Sequence, residues 1–200
     1  MRNTLIAAAW LLLAGIAAPP VLAQPAAPGG EPIGSAPQEI VRRGVDRLAG
    51  FLIGAQRPGP SLVRKFLERE IAPHFDFAYM ARWAAGPYSR RMDASAQAAM
   101  TGRLRALFLG ALARNLGSFS GSLPQVRVYP ARPGRNRGES VVDARVDAGP
   151  WKVNLAFRFY RASDGWKVFD VAANGISAVA YYRRYFSTLL RRYGPRALFN

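Results

Sequence analysis

The sequence predicts an α+β fold, a curved antiparallel sheet closed on one side by helices into a cone. Three observations lead there. Apolar residues recur at helical spacing from about residue 40 to 116 and at strand spacing from 126 to 171; helices followed by a run of strands belong to α+β domains rather than to parallel sheets. Asp164-Gly165 is a hairpin signal between two of those strands. Beyond them, Gly175 marks a sharp corner into an amphipathic helix containing Tyr182-Arg183-Arg184-Tyr185-Phe186, so the last helix packs on the last strand.

The first segment is a targeting signal. Arg2 supplies a positive start, residues 5–18 are nearly all apolar, and Val21-Leu22-Ala23 places small residues where a signal peptidase reads. The apolar run is short and broken by Pro19-Pro20, which argues against a membrane span. Residues 1–23 are therefore expected to be a signal peptide, 24–37, rich in Pro, Ala and Gly, a disordered lead, and 38–200 a single domain, long enough for a real core.

Within that domain Ile40, Val41, Val45, Leu48 and Leu52 form one helical stripe. Residues 56–60 break it, and Ser61 is placed to cap a second helix running to about Ile71, where Pro73 stops it. Asp76 is placed to cap a third that ends at Gly86-Pro87, and Asp93 or Ser95 opens the longest, to about Leu116. Its stripe is Met100, Leu104, Leu107, Phe108, Ala111, Leu112 and Leu116, and Leu109 widens it beyond one packing face. Strands follow: Val126 and Val128; then, past a basic loop over 133–138, Val142, Ala144 and Val146; then 151–160, with Trp151, Val153, Leu155, Phe157 and Phe159 on one face; then 166–171. Such aromatic and aliphatic faces suit either a solid core or a greasy cavity, and periodicity alone does not separate the two.

Composition narrows the chemistry. The chain has no cysteine and a single histidine, His74, which excludes a thiol nucleophile and cysteine- or histidine-rich metal sites. The formal charge is +16, and only Lys65, Lys152 and Lys167 of the 28 basic residues are lysines. Such a balance attracts polyanions; export points to anionic lipid rather than nucleic acid, although an Ala-, Arg-, Gly- and Pro-rich composition produces the same excess without any function. His74 and Asp76 form a possible acid/base pair but read better as loop and cap. Asp170 falls, by alternation, on the face of Trp166 and Val168, where a carboxylate needs a partner. Arg183 or the backbone N–H groups at the start of the last helix would supply one, making Asp170 a structural tie; an acid/base role is the alternative. No phosphate loop, Ser-His-Asp spacing or carboxylate metal cluster appears.

Two runs carry a family resemblance. Pro73-His74-Phe75-Asp76-Phe77, Met80-Ala81-Arg82 and Gly86-Pro87-Tyr88-Ser89 form the first; Gly165-Trp166-Lys167-Val168-Phe169-Asp170-Val171, Gly175-Ile176-Ser177 and Tyr182-Arg183-Arg184-Tyr185-Phe186 form the second. In order, and with Gly194 and Leu198 fitting the tail, they resemble the MlaC or toluene-tolerance family, from about residue 38 to 198. Ser89, Asn174 and Tyr185 depart from the usual tryptophan, acidic residue and glutamine. The resemblance implies an NTF2-like cone with an apolar cavity, and a non-enzymatic, monomeric periplasmic carrier without cofactor. It would shuttle phospholipid between an outer-membrane lipoprotein–porin complex and the lipid-binding subunit of an inner-membrane ABC transporter, with no nucleic-acid partner. A hopanoid-associated branch, with a rigid polycyclic ligand, is one alternative, and an isomerase or dehydratase on the same cone, with Asp170 or His74 as base, is another. Residues expected to line the cavity are Leu104, Phe108 and Leu112 on the long helix and Val142, Val146, Val153, Leu155, Phe157, Phe159 and Val168 on the strands.

Overall fold

A computed structural model describes residues 35–56, 58–117, 124–148 and 151–198. The expected signal peptide and most of the lead lie outside the described residues. Helix α1 (Ser35–Gly54) starts inside the stretch read as a lead, and Pro37 is already fully buried; proline is tolerated in a first helical turn because its missing N–H would have no partner there. Helix α2 (Pro60–Phe66) is capped at Gly59 and not at Ser61, because Pro60 presets the helical φ one residue earlier. The helix runs on through a π-helical turn, Leu67–Ile71, and a 3₁₀ turn, Ala72–His74.

The next two helices start on carboxylate caps, as their sequences predict. Asp76 accepts the Tyr79 N–H at 2.8 Å ahead of α3 (Phe77–Ala85), and Asp93 accepts the Ala96 N–H at 2.7 Å ahead of α4 (Ala94–Gly117). Ser95 donates its hydroxyl to Asp93 and is not the cap. Gly86 ends α3 at φ +58°, and a Cβ there would stand 3.2 Å from the Arg183 guanidinium. Two needs therefore meet at one glycine, a left-handed backbone and room for an arginine.

The sheet is antiparallel, in the order β1 (Gln125–Val128), β3 (Glu139–Ala148), β4 (Trp151–Ala162), β5 (Gly165–Ala173) and β6 (Ile176–Ser177), with the short β2 (Arg132–Pro133) also pairing β3. Register aligns Val142 with Phe157, Ala144 with Leu155 and Val146 with Val153, so one face collects the apolar side chains, as the alternation predicts. Phe75 bridges to Val168 alongside β5, and the Asp76 N–H donates to the Val168 carbonyl at 2.9 Å. The chain then turns through Ser177, whose hydroxyl caps α5 (Ala178–Tyr193).

One register departs from simple alternation. Arg158 opposes Asp170 while the next residue, Phe159, opposes Val168. Phe169 is thus the extra residue of a β-bulge, and Val168 and Asp170 face opposite sides of the sheet. The reading that put Asp170 beside Trp166 and Val168 is corrected by that inserted residue.

The buried residues fall into two clusters. The larger draws on α2, α3, α4 and α5, from Val63 and Met80 to Phe186 and Leu190. The smaller contains Val41 of α1 with Val142, Phe159 and Val168 of the sheet. Phe75 packs against both. Helix α1 also spans the two, since Ile40 and Val45 pack on the sheet cluster, while Leu48, Phe51 and Leu52 pack on the helical one.

Candidate functional site

The apolar face of the sheet is closed at some positions and half-covered at others. Val142, Phe159 and Val168 are at most 2% exposed, and Val153 is buried. Phe157, Leu155 and Val146, on the same face, are only half-buried. Around them Ile40, Val45, Val128, Trp166 and Val171 are half-buried too. Apolar side chains left half-covered over several strands form an apolar surface that the rest of the fold does not fully close.

Helix α4 supplies a second half-covered surface. Its buried residues are Ala96, Met100 and Leu104 in the first half and Leu109, Gly110 and Ala113 in the second. That change of side leaves Leu107, Phe108, Ala111, Leu112 and Leu116 half-buried. Phe108 reaches the junction of the two clusters, its ring 5.4 Å from Phe75 and 5.9 Å from Phe77.

Seven of the ten expected lining residues, those on the strands, therefore share one sheet face. Phe108 joins them at the junction through Phe75. Leu104 is fully buried in the helical cluster, and Leu112 is half-buried against that same cluster. The α1 residues Ile40 and Val45, and Phe75 itself, also belong to this apolar surface, beyond the ten residues expected from sequence. The α1 stripe was legible in the spacing, but nothing in one sequence says which layer a stripe faces.

Polar groups near this surface are tied up in structure. Tyr160 donates its hydroxyl to the Asp76 carboxylate while its ring stacks on Tyr79 at 4.8 Å. Burial first, and that bond second, push the Tyr160 hydroxyl up to about 12. His74 is held below its usual range by burial, then by the positive charges of Lys167, Arg47 and Arg43. Asp170, 2% exposed, accepts the Val179 N–H at 3.1 Å and lies 3.5 Å from Arg158. The helix start supplies one of the two partners expected from sequence; the guanidinium is that of Arg158, while Arg183 sits against Gly86. This arrangement ties β5 to α5 on the side of the sheet away from the apolar face. An open groove of about 410 Å³ on that other side is lined by Asp143, Arg145, Asn154, Ala156 and Ala172, among others.

The family model described as MlaC protein matches residues 54–200. The chain belongs to the MlaC family. Both motif runs of the sequence, over 73–89 and 165–186, lie inside the matched span. A solved structure with the same fold is that of a phospholipid-binding protein from Ralstonia solanacearum in complex with a phospholipid, with a TM-score of 0.71 and 23% identity over 80% of this chain and 91% of that one. No curated protein matches the chain by sequence.

Membership also gives meaning to the three departures from the MlaC pattern. Ser89 donates its hydroxyl to the Gly86 carbonyl at 2.8 Å, closing the turn after α3. Asn174, at φ +48°, exchanges hydrogen bonds with Asn154 through its side-chain oxygen and its own N–H; asparagine tolerates that left-handed corner better than most residues. Tyr185 is exposed on α5.

Proposed function

We propose that the protein is a periplasmic carrier that holds a phospholipid by its acyl chains between the apolar sheet face and the helices. In this reading it takes lipid from one membrane system and delivers it to the other, exchanging with an outer-membrane lipoprotein–porin complex and with the lipid-binding subunit of an inner-membrane ABC transporter. The observation that carries the reading is the half-buried apolar rim between two clusters that meet at Phe75. MlaC membership and the phospholipid held by the Ralstonia protein of the same fold support it. So does an exported N-terminus as the sequence reads it.

Energetics explain why a carrier is needed. At about 0.8 kcal/mol per CH₂, two chains of roughly 15 methylenes cost on the order of 24 kcal/mol to expose to water. A protein that offers a dry apolar surface removes that barrier without any bond being made or broken, so its chemistry is binding and release. Asp170 and Asp76, each already engaged by a backbone N–H and a side chain, serve the frame of the site.

Native mass spectrometry of protein purified from a periplasm tests the reading. Phospholipid should accompany it at near one-to-one stoichiometry. Protein that is consistently empty, or that carries only a polycyclic, hopanoid-like lipid, would overturn it.

A further inference from the structure

Helix α5 has two faces of opposite character. Val179, Tyr182, Phe186 and Leu190 are buried in the helical cluster. Tyr181, Arg184, Tyr185, Arg191 and Arg192 point the other way and are exposed, with Arg183 exposed beside them. The helix sequence, AVAYYRRYFSTLLRRY, holds four arginines, four tyrosines and no carboxylate. Among the described residues no carboxylate lies within ion-pair distance of any of these arginines; Arg42, Arg82 and Arg114 on the other helices share that state, while Arg43, Arg47, Arg64, Arg69 and Arg105 each meet a glutamate, so what sets α5 apart is four arginines on one helix that has no carboxylate of its own.

The helix alone does not explain this pattern. Arg191 and Arg192 complement the negative end of the helix dipole, but Arg183 and Arg184 lie too far from the end to gain from it. Four like charges on four turns repel one another, and the face is stable in water only because it is hydrated. An anionic surface would relieve that repulsion. The tyrosines suit such a surface because each combines a flat apolar ring with a polar tip. Tyr193, 59% exposed, lies under Arg192 with the guanidinium 5.3 Å from its ring, and such stacked pairs sit well at a wet boundary.

Two kinds of anionic surface are available, a protein and a membrane. Arginine and tyrosine are enriched at protein interfaces too, so composition alone does not choose between them. The four arginines run the length of the helix with no carboxylate among them, so a protein partner would have to desolvate several guanidiniums and supply a carboxylate to each. A bilayer with anionic headgroups offers phosphates at every point and leaves the arginines hydrated. We propose that the outward face of α5 docks the protein on anionic lipid bilayers. This inference stands on α5 alone and does not rest on the carrier reading.

Sedimentation with vesicles of roughly three parts phosphatidylcholine to one part phosphatidylglycerol, at low salt, tests it. The wild-type protein should partition onto these vesicles, far less onto pure phosphatidylcholine, and should be released by salt. Each arginine near the surface contributes roughly fivefold in partition coefficient, so the triple variant Arg184→Gln, Arg191→Gln, Arg192→Gln should bind on the order of a hundredfold more weakly. The control triple Arg127→Gln, Arg135→Gln, Arg137→Gln removes the same charge from exposed positions on β1 and in the loop before β3, and should keep most of the binding. Matching thermal melts would establish that both variants fold. Equal losses in the two triples would overturn the proposal, since net charge alone would then explain binding. Wild-type protein that ignores anionic vesicles would overturn it as well and leave an acidic protein as the partner of this face. Lipid content measured on the same preparations reports separately on the carrier reading.

Discussion

The two apolar clusters are built from the same residue types yet finished to different degrees. In the helical cluster Phe186, Leu67, Met80, Met100, Leu104 and Leu109 have essentially no exposed surface. On the apolar face of the sheet Val142, Phe159 and Val168 reach that state and Ala144 and Val153 come close to it, while Val146, Leu155 and Phe157 stop half-way. A domain of this size can close its core, as the helical layer demonstrates. The open rim on the sheet therefore does not come from a shortage of apolar residues. Stability should be concentrated in the helical layer and ligand affinity on the sheet face, and substitutions in the two regions should separate along that line.

The largest effect belongs to the closed cluster. Phe186→Ala removes a fully buried ring and should cost about 3–5 kcal/mol of unfolding free energy. Protein that remains folded should carry the wild-type amount of lipid, which extraction would measure. Loss of lipid in parallel with stability would dissolve the distinction between the two regions.

The next effect tests the link between them. Asp170→Asn keeps the shape but weakens the acceptor for the Val179 N–H and for Arg158. It should lower stability by about 1.5–3 kcal/mol, the worth of a hydrogen bond to a charged group, with lipid occupancy unchanged. A denaturation curve checks the first expectation and lipid extraction the second. Turnover lost in some assay with the fold intact would instead favour an acid/base role.

A smaller effect is visible through pH. Tyr160 and Tyr182 are both pushed up to about 12, chiefly by burial, from about 10 in the unfolded chain. A raised folded-state value means that the contribution is fully present below pH 10 and is lost as pH rises towards 12. Stability should therefore fall across that window. Tyr160→Phe, which removes the half-buried bond to the Asp76 carboxylate, should cost about 1.5 kcal/mol at neutral pH, the low end for a bond to a charged group, and flatten part of the alkaline fall. An unchanged alkaline slope would mean that Tyr160 plays no part in it.

How far the sequence alone reaches differs between the two regions in the same way. Caps and turns were legible because they depend on a few adjacent residues: Asp76 and Asp93 cap where they should, and Gly86 ends α3 with a positive φ. The sheet face was legible in β3 and β4, where alternation is regular. It failed in β5, where a bulge at Phe169 moves Asp170 to the other side; nothing local in Val168-Phe169-Asp170 announces an extra residue, since the bulge exists only relative to Arg158 and Phe159. The α4 stripe was half right for a related reason. Its spacing identifies apolar positions, but Leu109 is buried and Leu112 is not, because neighbours in space decide which side of an apolar helix is covered. The wall of the site is tertiary information, and one sequence carries it only as a set of candidates.

The smallest expected change in stability discriminates most. Leu104 and Leu112 lie two turns apart on α4; the first is fully buried among helices and the second half-covered. Tryptophan is larger than leucine by several heavy atoms, and the fate of that extra volume depends on what surrounds it. At Leu104 close-packed neighbours must shift, and overpacking should cost about 1–3 kcal/mol. At Leu112 the added ring has space, so the melting temperature should stay near that of the wild type. If that space belongs to the acyl chains, the ring fills it and bound phospholipid should fall sharply. Phe157→Trp makes the same test from the sheet side. Lipid content and melting temperature measured together on Leu104→Trp, Leu112→Trp and Phe157→Trp give a pattern that neither a solid core nor an unrelated binding surface reproduces. Equal destabilisation by all three would favour a closed core throughout. Normal stability with a full lipid load in Leu112→Trp and Phe157→Trp would remove both residues from the wall.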